Sequence, residues 1–149
     1  MVIGIIGGGA SGMAAALAAA ENPRVEVILL ERQARLGRKL QATGNGRCNL
    51  TNLHALEGGY HGEEPGFSRE ALTNFGPEKT LEWFRSLGLF TVAEPSGRVY
   101  PYSDQANSVL DVLRFALEKP NIRVITGFEV AKAKRSGDGF EKGIGMHLL

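Results

Sequence analysis

The sequence has little of what several kinds of site require. A single cysteine, Cys48, among 149 residues excludes an intramolecular disulfide and a metal site built from several cysteines. The three histidines, His54, His61 and His147, are scattered without the spacing of metal ligands, so we predict no metal. The net charge of +1 gives no broad electrostatic reason to expect a nucleic acid as a partner.

Long apolar runs are also missing. No run approaches the roughly 20 residues that a helix needs to cross a bilayer. Val2–Ile6 is too short for the core of a signal peptide and is followed at once by glycines. We therefore expect no membrane partner and a cytoplasmic location. The 43% hydrophobic and 22% charged residues are typical of a globular protein, and the length suits one ordinary domain.

The first 31 residues contain the motif around which the chain is organised. In order they are an apolar strand, three glycines in the pattern G-x-G-x-x-G, a run of small residues, a second apolar strand and an acid: Val2–Ile6, Gly7, Gly9 and Gly12, Met13–Ala20, Val25–Leu30, and Glu31. Gly7 allows a sharp turn, the bare backbone at Gly9 lets a pyrophosphate approach, and Gly12 lets the helix pack closely. The N–H groups and dipole at the start of the helix favour bound phosphate.

Glu31 completes this motif nineteen residues after Gly12, at the end of the second strand. A carboxylate there can accept hydrogen bonds from ribose hydroxyls and would repel a 2′-phosphate. A simple strand–helix turn explains neither the three spaced glycines nor the placed acid. The segment therefore predicts a dinucleotide-binding site.

Turn residues and hydrophobic periodicity predict the remaining elements. We expect a partly helical basic segment at Arg32–Thr43, a polar loop at Thr43–Asn52, a helix capped by Ser68 at 68–76 and a helix from Pro77 at 77–87. Two short strands are predicted next, at Leu89–Ala93 and Arg98–Tyr100. The last predicted elements are an amphipathic helix at Ala106–Lys119 and two strands at Ile122–Thr126 and Phe128–Ala131. Alternating strands and helices predict an α/β fold with a parallel sheet. We place one domain over residues 1–131 and a frayed tail over 132–149.

Two further segments resemble a known family. Leu36–Leu40 followed by Ala42–Asn52 is similar to a signature of the bacterial BaiN/RdsA-like, or aminoacetone-oxidase-like, NAD(P)/FAD-dependent oxidoreductases. Gly97–Ser103 and the helix after Ala106 resemble the same family, and the resemblance runs from Val2 to about Val130. Composition alone would make Thr43–Asn52 a simple connector.

The resemblance implies a Rossmann-like fold that binds FAD rather than NAD at the glycine turn. It assigns the pyrophosphate to Gly7, Gly9, Ala10, Ser11 and Gly12, the adenosine ribose to Glu31 with Arg32 beside it, and the phosphates and ribityl chain to Arg38 and Lys39. It assigns the surroundings of the flavin to Gly44, Asn45, Gly46, Arg47, Cys48 and Asn49, and the reading of adenine to the backbone at Val130.

Two residues of this loop suggest chemistry. Arg47 could stabilise an anionic reduced flavin, the alternative being an ordinary surface charge. Cys48 has no partner thiol in the chain, so we expect a small packed side chain rather than a redox group. No catalytic acid, base or nucleophile is identified.

The function that follows is an FAD-dependent oxidoreductase that transfers hydride through the flavin, with NAD(P)H as a candidate donor and an unidentified small-molecule substrate. The alternatives are a non-catalytic module that binds FAD or its ADP portion, and an NAD-binding domain, against which the loop signature argues. Members of the resembled family continue with a further strand, a substrate domain and a return segment. We therefore expect a truncated member of the family with an incomplete sheet. The sequence gives no prediction of the oligomeric state.

Overall fold

The computed structural model describes residues 1–58, 60–64, 66–137 and 139–141. The chain forms two compact units: unit 1 comprises Met1–Leu40 and the chain from Leu113 onward, and unit 2 comprises Gln41–Val112. The domain boundary that we place after Ala131 stays a prediction.

The helices and strands follow one another in this order: β1 (Val2–Ile6), α1 (Ala10–Ala19), β2 (Glu26–Leu30), α2 (Arg38–Ala42), β3 (Thr51–Asn52), α3 (Arg69–Asn74), α4 (Pro77–Ser86), β4 (Thr91–Ala93), β5 (Arg98–Pro101), α5 (Ala106–Ala116), β6 (Ile122–Ile125), β7 (Lys134–Ser136) and β8 (Gly139–Glu141), with a 3₁₀ turn at Thr43–Gly46. This alternation confirms the predicted α/β fold.

Unit 1 is built on a parallel sheet in the order β1–β2–β6. Ile5 pairs with Leu29, and Leu29 pairs with Val124. Because β2 is the middle strand, Val27 and Leu29 are fully buried, whereas β1 at the edge leaves Val2 and Ile6 exposed. The carboxyl ends of these strands carry the glycine turn and Glu31.

Helix α1 joins β1 to β2 and packs on both strands. It begins at Ala10, so the last three residues of the glycine motif form its first turn. Met13, Ala16 and Leu17 are its buried residues, and the alanines around them let the helix lie close to the sheet. The helix ends at Ala19, shortly before Pro23, because the residue before a proline disfavours helical backbone angles.

Unit 2 contains an antiparallel sheet in the order β3–β5–β4. The hairpin of β4 and β5 turns at Gly97, which has φ +79° and whose N–H donates to the Glu94 carbonyl at 2.9 Å. Val99 and Tyr100 on β5 are buried, and the Leu50 N–H donates to the Val99 carbonyl at 2.8 Å. The two predicted short strands are confirmed.

Two local predictions are wrong. Phe128–Ala131 is not a strand, because the Phe128 N–H donates to the carbonyl of Glu31, which lies beyond the end of β2, and the segment does not pair with the sheet. Ser68 has helical backbone angles and its hydroxyl does not cap α3, since a cap requires an extended residue. The basic segment Arg32–Thr43 is partly helical, as predicted, and its helix spans Arg38–Ala42.

The predicted tail contains more structure than expected in its described part. Strands β7 and β8 form a small antiparallel hairpin, with Lys134 paired to Glu141 and Ser136 to Gly139. The remainder of that predicted tail, residues 142–149, lies outside the described residues.

Candidate functional site

The glycine turn is closed at its ends and open at its centre. Gly7 has φ +101°, a conformation that side chains disfavour, and its N–H donates to the Leu30 carbonyl at 2.7 Å. A Cβ atom on Gly12 would collide with the carbonyl oxygen of Gly7. A Cβ atom on Gly9 would meet nothing within 4 Å. The backbone at Gly9 therefore faces free space that a ligand can enter.

The start of α1 lies directly after this open position. Gly9 is the extended N-cap residue and contributes no side-chain cap, and the Met13 N–H makes a 2.9 Å bond to the Gly9 carbonyl. The N–H groups of Ala10, Ser11 and Gly12 precede that first helical bond and have no helical acceptor. The first turn holds no acidic residue. These N–H groups and the positive end of the helix dipole can bind a phosphate.

The Glu31 carboxylate is fixed by two backbone donors. One oxygen, Oε2, accepts a 2.6 Å bond from the Gly8 N–H, and Oε1 accepts a 2.7 Å bond from the Gln33 N–H. Since an ionised carboxylate has about four lone-pair positions, it can still accept bonds from a ligand. The acid predicted from the sequence thus lies in contact with the glycine turn.

Gly8 is a constrained residue that the sequence reasoning missed, since it occupies a variable position of G-x-G-x-x-G. A Cβ atom there would collide with Leu36 Cδ2 and lie 3.0 Å from the Cβ of Glu31. The Gly8 carbonyl also accepts a 2.8 Å bond from the Gly37 N–H. The unbroken run of three glycines, Gly7 to Gly9, was the available signal.

The cationic residues predicted for the cofactor lie on the surface of unit 1. Arg32 makes a 3.9 Å ion pair with Glu129, and both side chains are exposed. Arg38 Nη1 donates to Gln33 Oε1 at 3.0 Å, and Lys39 is exposed. Surface pairs of this kind contribute little to stability, so these side chains are free to rearrange around a ligand.

The chain after β6 passes beside Glu31. The Phe128 N–H donates to the Glu31 carbonyl at 2.9 Å, and the Gly127 N–H donates to the Gln33 carbonyl at 2.9 Å. Val130, predicted to read adenine through its backbone, is half-buried two residues further along. This predicted role therefore falls on irregular chain rather than on a strand.

The remaining predicted residues, Gly44 to Asn49, belong to unit 2. Their loop is dominated by the left-handed conformation: φ is +55° at Gly44, +55° at Asn45, +85° at Gly46 and +60° at Cys48. Asparagine tolerates this region, whereas cysteine adopts it rarely. Such backbone strain persists only where the surroundings hold it, and it is common at ligand sites.

Arg47 anchors this loop to the rest of unit 2. Its guanidinium pairs with Asp104 and, at 2.8 Å, with Glu94, and it lies 3.9 Å above the centre of the Tyr100 ring. The bonds to Asp104 and then Glu94 raise the pKa of Arg47. Its charge is therefore compensated within unit 2, and the role toward a reduced flavin stays a prediction.

Cys48 is buried, with 5% of its surface exposed. Burial raises the pKa of the Cys48 thiol, an effect that a hydrogen bond with the Thr43 side chain opposes in part. A protonated, buried thiol suits a packed side chain rather than a nucleophile.

Unit 2 also contains a cavity beside this loop, with a volume of about 510 Å³. We call it the loop pocket, and its lining residues are Ala42, Gly44, Asn45, Arg47, Asn49, Arg98 and Tyr100. The predicted cofactor-binding residues thus divide between the units: Gly44–Asn49 belong to unit 2, and the others belong to unit 1.

Within the described ranges, no cluster of three or more His, Cys, Asp or Glu side chains could hold a metal ion. In the same part of the chain, no helix is long and apolar enough to cross a membrane.

Comparison with known proteins gives a consistent picture. Residues 1–145 match the model of the protein family described as the HI0933-like protein Rossmann domain. The chain is 50% identical over 139 residues to a 3-dehydro-bile acid delta(4,6)-reductase of Clostridium scindens, covering 93% of the chain and 34% of that protein. It is 31% identical over 136 residues to a ribosomal RNA dihydrouridine synthase of Escherichia coli, again covering 34% of the relative.

Among solved structures, the crystal structure of THI4 from Thermovibrio ammonificans matches with a TM-score of 0.58 and 17% identity. The match covers 93% of this chain and 43% of THI4, and at this identity it supports the fold alone. The chain spans about a third of the length of the curated relatives that it matches.

The comparisons confirm the family resemblance found in the sequence and agree with the parallel sheet and glycine turn of unit 1. The chain belongs to the HI0933-like family and carries its Rossmann domain.

Proposed function

We propose that this chain is the FAD-binding part of a flavin-dependent oxidoreductase. The observation that carries the proposal is the open start of α1, where the free space at Gly9 adjoins the N–H groups of Ala10, Ser11 and Gly12. A pyrophosphate fits this arrangement, because the backbone donors and the helix dipole act on the same negative charge. In this proposal these N–H groups hold the FAD pyrophosphate.

Glu31 supports the adenosine half of the same ligand. Its carboxylate is bound by the Gly8 and Gln33 N–H groups at 2.6 and 2.7 Å, so its position beside the turn is set before a ligand arrives. Remaining lone pairs can accept both ribose hydroxyls. The negative charge disfavours a 2′-phosphate, so the site selects against NADP-type nucleotides.

The preference for FAD over NAD rests on the family. Sequence resemblance assigns Arg38, Lys39 and Gly44–Asn49 to the flavin half of the cofactor, and the glycine turn alone does not distinguish the two dinucleotides. The left-handed loop from Gly44 to Cys48 supports a ligand-contacting role for that segment. FAD would supply hydride transfer when bound.

The reaction class follows from the relatives. One relative is named a bile acid delta(4,6)-reductase and the other a dihydrouridine synthase, and both names describe the addition of hydrogen to an unsaturated substrate. We propose the same class here: a hydride and a proton are added across a carbon–carbon double bond, with NAD(P)H supplying the hydride. Substrate chemistry belongs to the whole protein, of whose relatives this chain spans about a third.

Absorption spectroscopy of the purified chain tests the cofactor. We expect flavin bands, or their appearance when FAD is added, and bleaching by NAD(P)H if the chain alone exchanges hydride. Bands that do not bleach would support the non-catalytic module. A chain that takes up no FAD but binds NAD would overturn the proposal in favour of an NAD-binding domain.

A matched pair of variants locates the ligand. Gly9→Val fills the space at the centre of the turn, so we expect at least tenfold weaker FAD binding from a folded chain. Gly4→Val makes the same change on β1, where a Cβ atom also meets nothing within 4 Å, and should leave binding unchanged. Equal FAD affinity in both variants would falsify the pyrophosphate assignment.

A further inference from the structure

We propose that a second copy of this chain pairs with the outer edge of β6 in the antiparallel sense and extends the sheet of unit 1 into a two-fold dimer. The inference goes beyond the proposed function, since no residue of this edge is assigned to the cofactor. It is carried by the backbone groups that β6 leaves open and by two opposite charges at the two ends of that edge.

The hydrogen bonds of the sheet show which backbone groups of β6 are open. The Asn121 carbonyl accepts a bond from the Val27 N–H at 2.8 Å. Further along the strand, the Ile125 carbonyl accepts a bond from the Glu31 N–H at 2.9 Å. Because the backbone groups of successive strand residues alternate between the two sides, those of Val124 point away from β2. Within the described residues, no other strand pairs with β6.

The open groups of this edge complement a second copy of the same edge. The Ile122 N–H is bonded to the Lys119 carbonyl at 3.0 Å, so Ile122 offers its carbonyl alone. Val124 offers its N–H and its carbonyl, and the Thr126 N–H lies across its peptide plane from the inward Ile125 carbonyl. With a two-fold axis at Val124, each Val124 N–H donates to the Val124 carbonyl of the other copy. Each Thr126 N–H then donates to the opposite Ile122 carbonyl.

The side chains beside the proposed axis allow this pairing. Val124 is 38% exposed, and β-branched side chains that face each other across two strands stabilise a sheet. Arg123 is a charge on an edge strand, a device that often protects such an edge from pairing. Its side chain lies on the opposite face of the sheet from Val124, because neighbouring side chains alternate. The two-fold register places Arg123 opposite Ile125 of the second copy, so the two arginines are not directly opposed.

A groove of about 440 Å³ lies beside this edge, within unit 1. We call it the edge groove, and its charged residues are Arg35, Arg114 and Glu118. Arg114 Nη2 donates to the Leu36 carbonyl at 2.9 Å. Arg35 and Glu118 are exposed, and in the described part of the chain they form no ion pair with each other or with another residue. Both charges are therefore open to a partner from another molecule.

The two open charges lie at opposite ends of the edge. Arg35 follows Gln33, whose carbonyl accepts a 2.9 Å bond from the Gly127 N–H just beyond the end of β6. Glu118 lies in the turn that leads into the start of β6. Antiparallel pairing places the end of β6 in one copy beside the start of β6 in the other, and hence Arg35 beside Glu118 of the second copy. The two-fold axis repeats this ion pair at the other end.

Sedimentation velocity of the full chain, from micromolar to millimolar concentration, tests the dimer. A strand of four residues gives a small interface, so we expect a weak and reversible dimer. Val124→Pro removes the outward N–H, and proline is tolerated on the open side of an edge strand. We expect at least tenfold weaker association of this variant. Val2→Pro makes the same change on the outer side of β1, since the Met1 carbonyl points to β2, and should associate like the unchanged chain.

Exchange of the two charges tests the register without changing the backbone. Arg35→Glu and Glu118→Arg should each weaken association, because each variant brings like charges together at both ends of the edge. The double variant that carries both changes restores the ion pairs and should recover the association of the unchanged chain. Both side chains are exposed, so the urea midpoint of each single variant should stay in place and exclude a folding defect.

Hydrogen exchange of single amides locates the contact. The Val124 amide should exchange slowly in a concentrated solution and rapidly in a dilute one, whereas the Gly4 amide on the outer side of β1 should exchange rapidly in both. A chain that stays monomeric at millimolar concentration overturns the proposal. So does a dimer that is lost in Val2→Pro and kept in Val124→Pro, or a double charge variant that associates no better than the single variants.

Discussion

Glu31 Oε2 accepts a 2.6 Å hydrogen bond from the backbone N–H of Gly8, 23 residues earlier in the chain. This bond ties the end of β2 to the turn that follows β1, and the second oxygen ties the same carboxylate to Gln33. One acidic side chain therefore organises the backbone of the glycine turn, and in the proposed function its remaining lone pairs accept hydrogen bonds from a ribose.

Glu31→Gln tests both roles. An amide side chain has one oxygen that accepts and one NH₂ group that donates. One of the two backbone N–H groups, of Gly8 or Gln33, therefore loses its acceptor and lies against the NH₂ group instead. We expect a loss of about 1–2 kcal/mol in the free energy of unfolding by urea and weaker FAD binding by roughly tenfold, the usual range for one charged hydrogen bond. Glu26→Gln, at the exposed start of the same strand, should change neither quantity.

Gly8→Ala tests the packing of the turn. The new Cβ atom would collide with Leu36 Cδ2, so we expect the unfolding free energy to fall by about 1–3 kcal/mol, as for other overpacked sites. Because the obstacle is the end of a flexible side chain, Leu36→Ala in the same chain should recover part of the loss caused by Gly8→Ala. Strictly additive losses in a double-mutant cycle would contradict this contact.

The elements near the start of the chain were predictable because their signals are local. Gly7, Gly9, Gly12 and Glu31 are read from spacing, and the sheet and α1 follow from the apolar runs on either side. The predicted strand Phe128–Ala131 failed because the N–H groups of Gly127 and Phe128 donate to the carbonyls of Gln33 and Glu31, which lie in irregular chain after β2. No pattern within four residues reports such a distant partner.

The surroundings of Arg47 show the same limit in the candidate site. Its acidic partners lie 47 and 57 residues away in the chain, so the sequence could suggest a free cation but not its compensation. The collision at Gly8 was hidden for a similar reason, since Leu36 approaches it only after β2 has paired with β1.

Arg47→Met should loosen unit 2. The change removes the positive charge that pairs with Glu94 and Asp104, so both carboxylates lose their ion pair with Arg47. We expect a lower urea midpoint for the variant, with a smaller difference from the unchanged chain at 1 M salt, where surface charges are screened. Arg69→Met, an exposed arginine of α3, is the control and should leave the midpoint in place.

Cys48 gives a prediction about pH. Because burial raises the pKa of the thiol, the folded chain should react with a disulfide reagent more slowly than the urea-unfolded chain at pH 8. The folded state holds its proton over a range where the unfolded state has lost it. Stability should therefore decrease as the pH rises above the ordinary thiol pKa of about 8.5.

Cys48→Ala is the control for this titration. The variant removes the ionisable group while keeping a small side chain, so the decrease in stability above that pH should become shallower. Equal slopes for the variant and the unchanged chain, or equally fast labelling of folded and unfolded protein, would count against a buried thiol.

The position of β1 at the edge of the sheet affects the hydrogen exchange of the strand that leads into the glycine turn. In the described sheet, β1 pairs with β2 along one side only, and Val2 and Ile6 are exposed. Along a strand, backbone N–H groups point alternately to the two sides. Alternate amides of the strand that leads into Gly7 are therefore left to exchange rapidly with deuterium, while their neighbours are protected by β2.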